Sequence, residues 1–129
     1  MKAVAVAREA ALWLIAVFLA YVFARQGVSK FSDTSGWAAA FRAWHYPDWF
    51  RLAVGAVEVM AALLVLIPRA AFAGGILIML VMLGGMGTHV WWGRPGQMTS
   101  EILPLLLGTL VALGRRKVFF LFRQREDCP

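Results

Sequence analysis

The sequence predicts an all-α integral membrane protein, a four-helix bundle with a short interfacial helix between helices 1 and 2. Three observations carry that prediction. Of 129 residues, 61% are hydrophobic and 16% charged, with a mean hydropathy of +0.71, whereas a soluble domain carries about 25% charged residues. The apolar residues fall into four runs, each near the ~20 residues that cross ~30 Å of hydrocarbon. The thirteen Lys and Arg behind the net charge of +6 stand at the ends of those runs, as membrane proteins distribute them. Together these exclude a soluble monomer and argue against a nucleic-acid partner, and the length allows a single transmembrane domain, 1–129.

The first span covers about 10–28. Residues 10–24 hold no charge, and Arg25 and Gln26 follow where long side chains reach the headgroups. Lys2 and Arg8 before the run and the small-x-small pattern of Val22-Phe23-Ala24 also fit a cleavable signal peptide, but further spans follow, so the segment is expected to be retained.

The connection to the second span is about twenty residues long, too long for a plain loop. In it Ser32, Asp33 or Thr34 can cap a short helix that sets Trp37, Phe41 and Trp44 on one face, with Arg42 off that face. This is the pattern of a helix lying in the membrane interface.

The second span, 50–67, carries Arg51 at its start and Glu58 at its middle, and Pro68-Arg69 closes it. The third, 70–92, has His89 as its one ionisable residue, and so short a connection forces these two helices into an antiparallel hairpin. Gly93-Arg94-Pro95-Gly96 is a tight turn by composition. Thr99 or Ser100 can cap a fourth span, 98–114, with Glu101 in its first turn and Pro104 inside it. A basic tail, 115–129, interleaves Arg115, Arg116, Lys117, Arg123 and Arg125 with Val118, Phe119, Phe120, Leu121 and Phe122, which suits an anionic leaflet. Eight Lys and Arg on the side of the termini against five on the other predict cytoplasmic termini. The single cysteine, Cys128, makes neither an intrachain disulfide nor a CxxC pair, so redox chemistry would need a bound cofactor or a second subunit.

Placed by depth, the polar residues collect in the outer half of the bundle. Lys30 ends the first helix there, Arg51 opens the second, Thr88 and His89 approach the end of the third, and Glu101 begins the fourth. Glu58 is the deepest, about 12 Å inside its span at 1.5 Å per residue. A carboxylate there must pair, protonate or line a wet cavity, which makes it a functional candidate, with a single structural hydrogen bond as the plainer reading. Gly55, Ala61 and Ala62 on its face are small enough to admit a helix or a ligand. His89 shares a face with Gly85 and Met82 and reads either as a base or as an interface residue beside Trp91 and Trp92. Lys30 and Arg51 read as rim cations that could neutralise Glu58 or Glu101 or attract an anionic substrate, or as plain interfacial anchors. His45 and His89 lack any ligand spacing, so no metal is expected. Gly74, Gly75, Gly84, Gly85 and Gly87 read as close helix packing.

The residues Gly27-Val28-Ser29-Lys30-Phe31, Pro47, Gly55-Ala56-Val57-Glu58, Arg69 and the Met-rich third helix ending in His89 resemble the DoxX family of small bacterial four-helix membrane proteins. The resemblance runs from 10 to 114. It implies a bundle in the bacterial inner membrane, with Lys30, Glu58 and His89 as family-marked positions. Its relatives are associated with quinone-linked thiosulfate oxidation, with redox and oxidative-stress complexes and, in some animals, with receptor assembly.

The expected function is therefore a membrane subunit with an outward-facing pocket that binds a quinone-like hydrophobic ligand in a redox or sulfur-oxidation complex. Glu58 and His89 are its expected catalytic residues, and Lys30, Arg51, Gly55 and Glu101 its ligand-binding ones. No covalently bound cofactor is expected, and activity would need another subunit or a homo-oligomer. The alternative is a non-enzymatic assembly or chaperone subunit that docks through Trp37, Phe41 and Trp44.

Overall fold

The computed structural model describes residues 1–126, and among them helix is the only regular structure; Cys128 lies outside the described residues. Four long helices, α1 (Lys2–Ser29), α3 (Asp48–Val65), α4 (Ala71–Trp91) and α5 (Thr99–Glu126), are joined by a short α2 (Gly36–Ala43) and a 3₁₀ turn (Pro95–Met98). The hairpin of α3 and α4 falls where the apolar runs place it. The basic segment is not a separate tail: α5 runs unbroken through Arg115 to Glu126. Arg and Lys are good helix formers. Arg115 is held by two hydrogen bonds to the Glu9 carboxylate, at 2.7 and 2.9 Å, and Phe119 and Phe120 pack on Phe72 of α4 at ring separations of 5.2 and 5.5 Å.

The long helices form a ring in the order α1, α3, α4, α5, each packed against the next and α5 closing on α1. Glycines set how closely they approach. A Cβ added at Gly27 would lie 2.7 Å from the Gly55 carbonyl oxygen, and one at Gly75 the same distance from that of Gly108. Gly74 faces the backbone of Val65, and Gly114 faces Leu12 while its carbonyl accepts a 2.9 Å bond from Arg8. Gly84 and Gly87 do not belong to this set, because a Cβ on either meets nothing within 4 Å. The core of Leu19, Phe23, Ala61, Val65, Ile78 and Val111 fills the half that holds the termini.

Segment 30–48 folds across the other end. Ser35 is the N-cap of α2, in place of Ser32, Asp33 or Thr34; Ser32, Thr34 and Ser35 form a local turn of hydroxyl hydrogen bonds, and Asp33 accepts from Arg51. The C-terminus of α2 is a Schellman motif: the amides of His45 and Tyr46 donate to the carbonyls of Arg42 and Phe41. His45 takes the left-handed conformation at φ 60°, and Tyr46 turns back onto Phe41, ring to ring at 5.9 Å.

Two of the four expected spans, α1 and α4, are long and apolar enough to cross a membrane by length and composition. The other two carry the charges: α3 contains Asp48, Arg51 and Glu58, and α5 opens near Glu101 and continues into Arg115, Arg116 and Lys117.

Candidate functional site

The crossing of α1 and α3 at Gly27 and Gly55 brings the end of one helix over the middle of the other. Lys30, just past α1, reaches Glu58 with its ammonium 3.0 and 2.8 Å from the two carboxylate oxygens. Their side chains are 3% and 2% exposed, so a buried ion pair satisfies the deep carboxylate. The ammonium also lies 3.8 Å from the centre of the Trp37 ring, close enough for a cation–π contact.

Beside this pair lies a cavity of about 470 Å³ lined from all five helices. Gln26 and Lys30 come from the α1 end, Trp37, Phe41, Trp44 and Tyr46 from the α2 segment, and Phe50, Ala53, Val54, Val57 and Glu58 from α3. The remaining wall is Leu80, Val81, Met82, Gly84, Gly85 and Thr88 of α4, with Ser100, Glu101 and Pro104 of α5. Polar groups are few and set at one end, with apolar walls elsewhere, the usual composition of a small-molecule site.

Glu101 folds against Gly85, where a Cβ would lie 2.9 Å from its carboxyl carbon. One of its carboxylate oxygens is 3.3 Å from His89 Nε2, an ion pair when the imidazole is protonated. The other is buried without a hydrogen-bond partner, as is His89 Nδ1. Tyr46 and Thr88 share a 2.9 Å hydrogen bond. Since the Thr88 hydroxyl donates to the Gly84 carbonyl at 2.9 Å, Tyr46 is the donor to Thr88.

The structure thus gathers Lys30, Glu58 and Glu101 in one cavity and sets three expected site residues outside its wall. Arg51 is buried but turned away. Its guanidinium donates to the carbonyls of Lys30 and Ser32, the latter at 3.2 Å, and to Asp33 at 3.0 Å. It therefore fastens the loop after α1, where carbonyls lack helical partners. Gly55 is consumed by the α1 crossing, and Ala61 and Ala62 lie in the core. His89 stands behind the wall, between Glu101 and the edge of Trp44, whose ring centre is 5.5 Å away.

A further correction concerns Trp37, Phe41 and Trp44, expected on an outward interface. Phe41 is buried and the two Trp half-buried, and all three form the cavity roof. Eight helical residues with an aromatic stripe fix which face is apolar, not whether lipid or protein covers it. Gln26 and Thr88, placed among the polar residues of the outer half, do line the cavity, and Tyr46 is the polar lining residue the sequence did not single out. Tyr46 had a readable signal, an aromatic just past a helix end.

The model of the DoxX-like family matches residues 14–114, more than three quarters of the 129-residue chain and every charged residue of the cavity; the chain belongs to that family. The uncharacterized protein YwoB of Bacillus subtilis (strain 168) is 27% identical over 122 residues, covering 88% of this chain and 79% of that protein. No solved structure matches the chain.

Proposed function

We propose that this DoxX-like chain is a multi-pass inner-membrane subunit whose pocket binds a quinone-like ligand in a redox complex. The observation that carries the reading is the cavity itself. One end offers an ammonium held by Glu58 and a carboxylate oxygen of Glu101 without a partner, and the rest is aromatic and aliphatic. A polar ring fits the first part and a hydrocarbon substituent the second. A quinone would supply two-electron chemistry accompanied by protons. The chain's share is to donate a hydrogen bond from Lys30 to a quinone carbonyl, to accept one at Glu101 from a hydroxyl of the reduced quinol, and to exclude water with Trp37, Phe41 and Trp44. His89, in contact with Glu101, is the group placed to pass a proton to or from that carboxylate.

Four spans follow from the same reading. Of the charges that make α3 and α5 less apolar, Arg51, Glu58 and Arg115 are buried in the bundle and Glu101 is largely covered, as ionisable residues in membrane helices are, while Asp48, Arg116 and Lys117 are exposed. The outward surface is apolar, including Leu14, Val17, Leu63, Leu83, Leu106 and Leu110. The α2 aromatics that the assembly reading would use as anchors line the cavity here, with Trp37 and Trp44 half-buried.

The test is the thermal stability of the purified protein with decylubiquinone. A ligand at 100 times its Kd raises stability by about 2.7 kcal/mol, so the wild-type Tm should rise. Most of that rise should vanish in the Lys30→Gln/Glu58→Gln double variant, and most of the rise given by the reduced decylubiquinol should vanish in Glu101→Gln. No shift at saturating quinone, together with loss of a co-purifying subunit in Trp37→Ala or Trp44→Ala, would overturn the pocket in favour of an assembly role.

A further inference from the structure

We infer that the pocket is loaded sideways from within the bilayer, through a slot between α3 and α4 whose threshold is Gly84, and that its ligand carries a hydrocarbon tail that stays in the slot. The inference rests on the ligand reading above and specifies how the ligand enters and what shape it has.

The two helices are tight at their hairpin end, where a Cβ at Gly74 would lie 2.8 Å from the Val65 amide nitrogen. At the opposite end the Tyr46–Thr88 hydrogen bond bridges α4 to the segment before α3. Between these closures the cavity lining from the two helices includes Ala53, Val54 and Val57 on α3 and Leu80, Val81 and Gly84 on α4. None of the six is polar. Ala53, Leu80 and Gly84 are at once cavity lining and exposed, Leu80 to 60%. A residue that faces both the cavity and the outside marks an opening in the wall.

Gly84 differs from the other glycines of its helix that line the cavity or a crossing. At Gly74 and Gly75 an added Cβ meets a neighbouring helix, and at Gly85 it meets Glu101, whereas at Gly84 it meets nothing. Helix packing therefore does not explain the missing side chain at 84, and the space it leaves belongs to the opening.

The depth of the slot points to lipid as the source. Gly84 is thirteen residues from the start of α4 at Ala71, about 20 Å along the helix, within the ~30 Å hydrocarbon layer. A tail entering there stays in an apolar medium while its head reaches Lys30 and Glu101. Ser100 is the remaining exposed lining residue. It stands at the first turn of α5, on the polar end of the bundle, and marks the competing aqueous route.

Full-length protein in lipid nanodiscs decides between the routes. Binding of decylubiquinone and of its tailless counterpart, ubiquinone-0, is followed by quenching of tryptophan fluorescence. Gly84→Leu should weaken the tailed probe at least tenfold and change the tailless one less than twofold. Gly87→Leu, which adds the same side chain at an exposed glycine of α4 outside the cavity, should change neither. If Gly84→Leu does not fold, Leu80→Trp obstructs the same slot and should give the same split.

Unchanged binding of the tailed probe in Gly84→Leu or Leu80→Trp overturns the lateral route while leaving the pocket reading intact. So does equal weakening of both probes, or weakening of both by Ser100→Trp with Gly84→Leu silent. Failure of the wild type to bind either probe overturns the pocket reading and this inference with it.

Discussion

At the scale of single residues, the buried Lys30–Glu58 pair dominates. Removing one member strands the other charge in a water-poor site, at a cost of about 3–5 kcal/mol, whereas replacing both with apolar residues of similar volume is close to neutral. Glu58→Met alone should therefore lower the Tm sharply, and Lys30→Met/Glu58→Met should recover most of the loss. Thermal unfolding of the two single variants and the double gives the coupling directly, and additive losses would show that the pair is not formed. The depth of Glu58 was legible because it is a lone acid in an apolar run. Its partner was narrowed to Lys30 or Arg51 but not decided, since the contact spans 28 residues of sequence and depends on where two helices cross. Arg51 shows the same limit. Its position near the outer end was readable, but its side chain answers to the carbonyls of Lys30 and Ser32, a demand created only once α1 has ended there.

At the scale of elements, the helix crossings depend on missing side chains. Gly27→Val should prevent the close approach of α1 to α3, because its Cβ would meet the Gly55 carbonyl oxygen at 2.7 Å. The expected result is loss of the monodisperse folded peak in size-exclusion chromatography. Gly87→Ala, facing open space, should instead gain about 0.5–1 kcal/mol from helix propensity, read as a small rise in Tm. Helix α2 carries a third element-scale prediction. His45 holds a left-handed conformation that costs a side-chain-bearing residue about 1–2 kcal/mol, so His45→Gly should stabilise the α2 cap, less whatever its ring contact with Trp92 contributes. The glycines of α4 were legible as a group but not one by one: Gly74 and Gly75 pack, Gly85 accommodates Glu101, and Gly84 and Gly87 do neither. Composition does not distinguish these uses, because each follows from what stands opposite.

At the scale of the whole molecule, two polar layers bracket the bundle. One is the Arg8, Glu9 and Arg115 cluster near the termini, and the other is the Lys30, Glu58 and Glu101 end with its cavity. Glu101 is fourteen residues from Arg115 on α5, about 21 Å along the helix, so with Arg115 at one headgroup level the cavity lies inside the opposite half of a ~30 Å hydrocarbon layer. Helices α1 and α5, each 28 residues and so about 42 Å long, then overhang on the Arg115 side, and α5 carries its basic residues out with it. On the function proposed above, the eight-to-five distribution of Lys and Arg predicts that overhang in the cytoplasm and the roof of the cavity on the external face. Thr34 and Gln124, both exposed, test this. In a Cys128→Ser background, Thr34→Cys should react with a membrane-impermeant maleimide in intact cells whose outer membrane has been made permeable. Gln124→Cys should react only after the inner membrane is broken. The reverse labelling would put the pocket on the cytoplasmic side, and any protein that exchanges electrons or protons with it would then have to be sought in the cytoplasm.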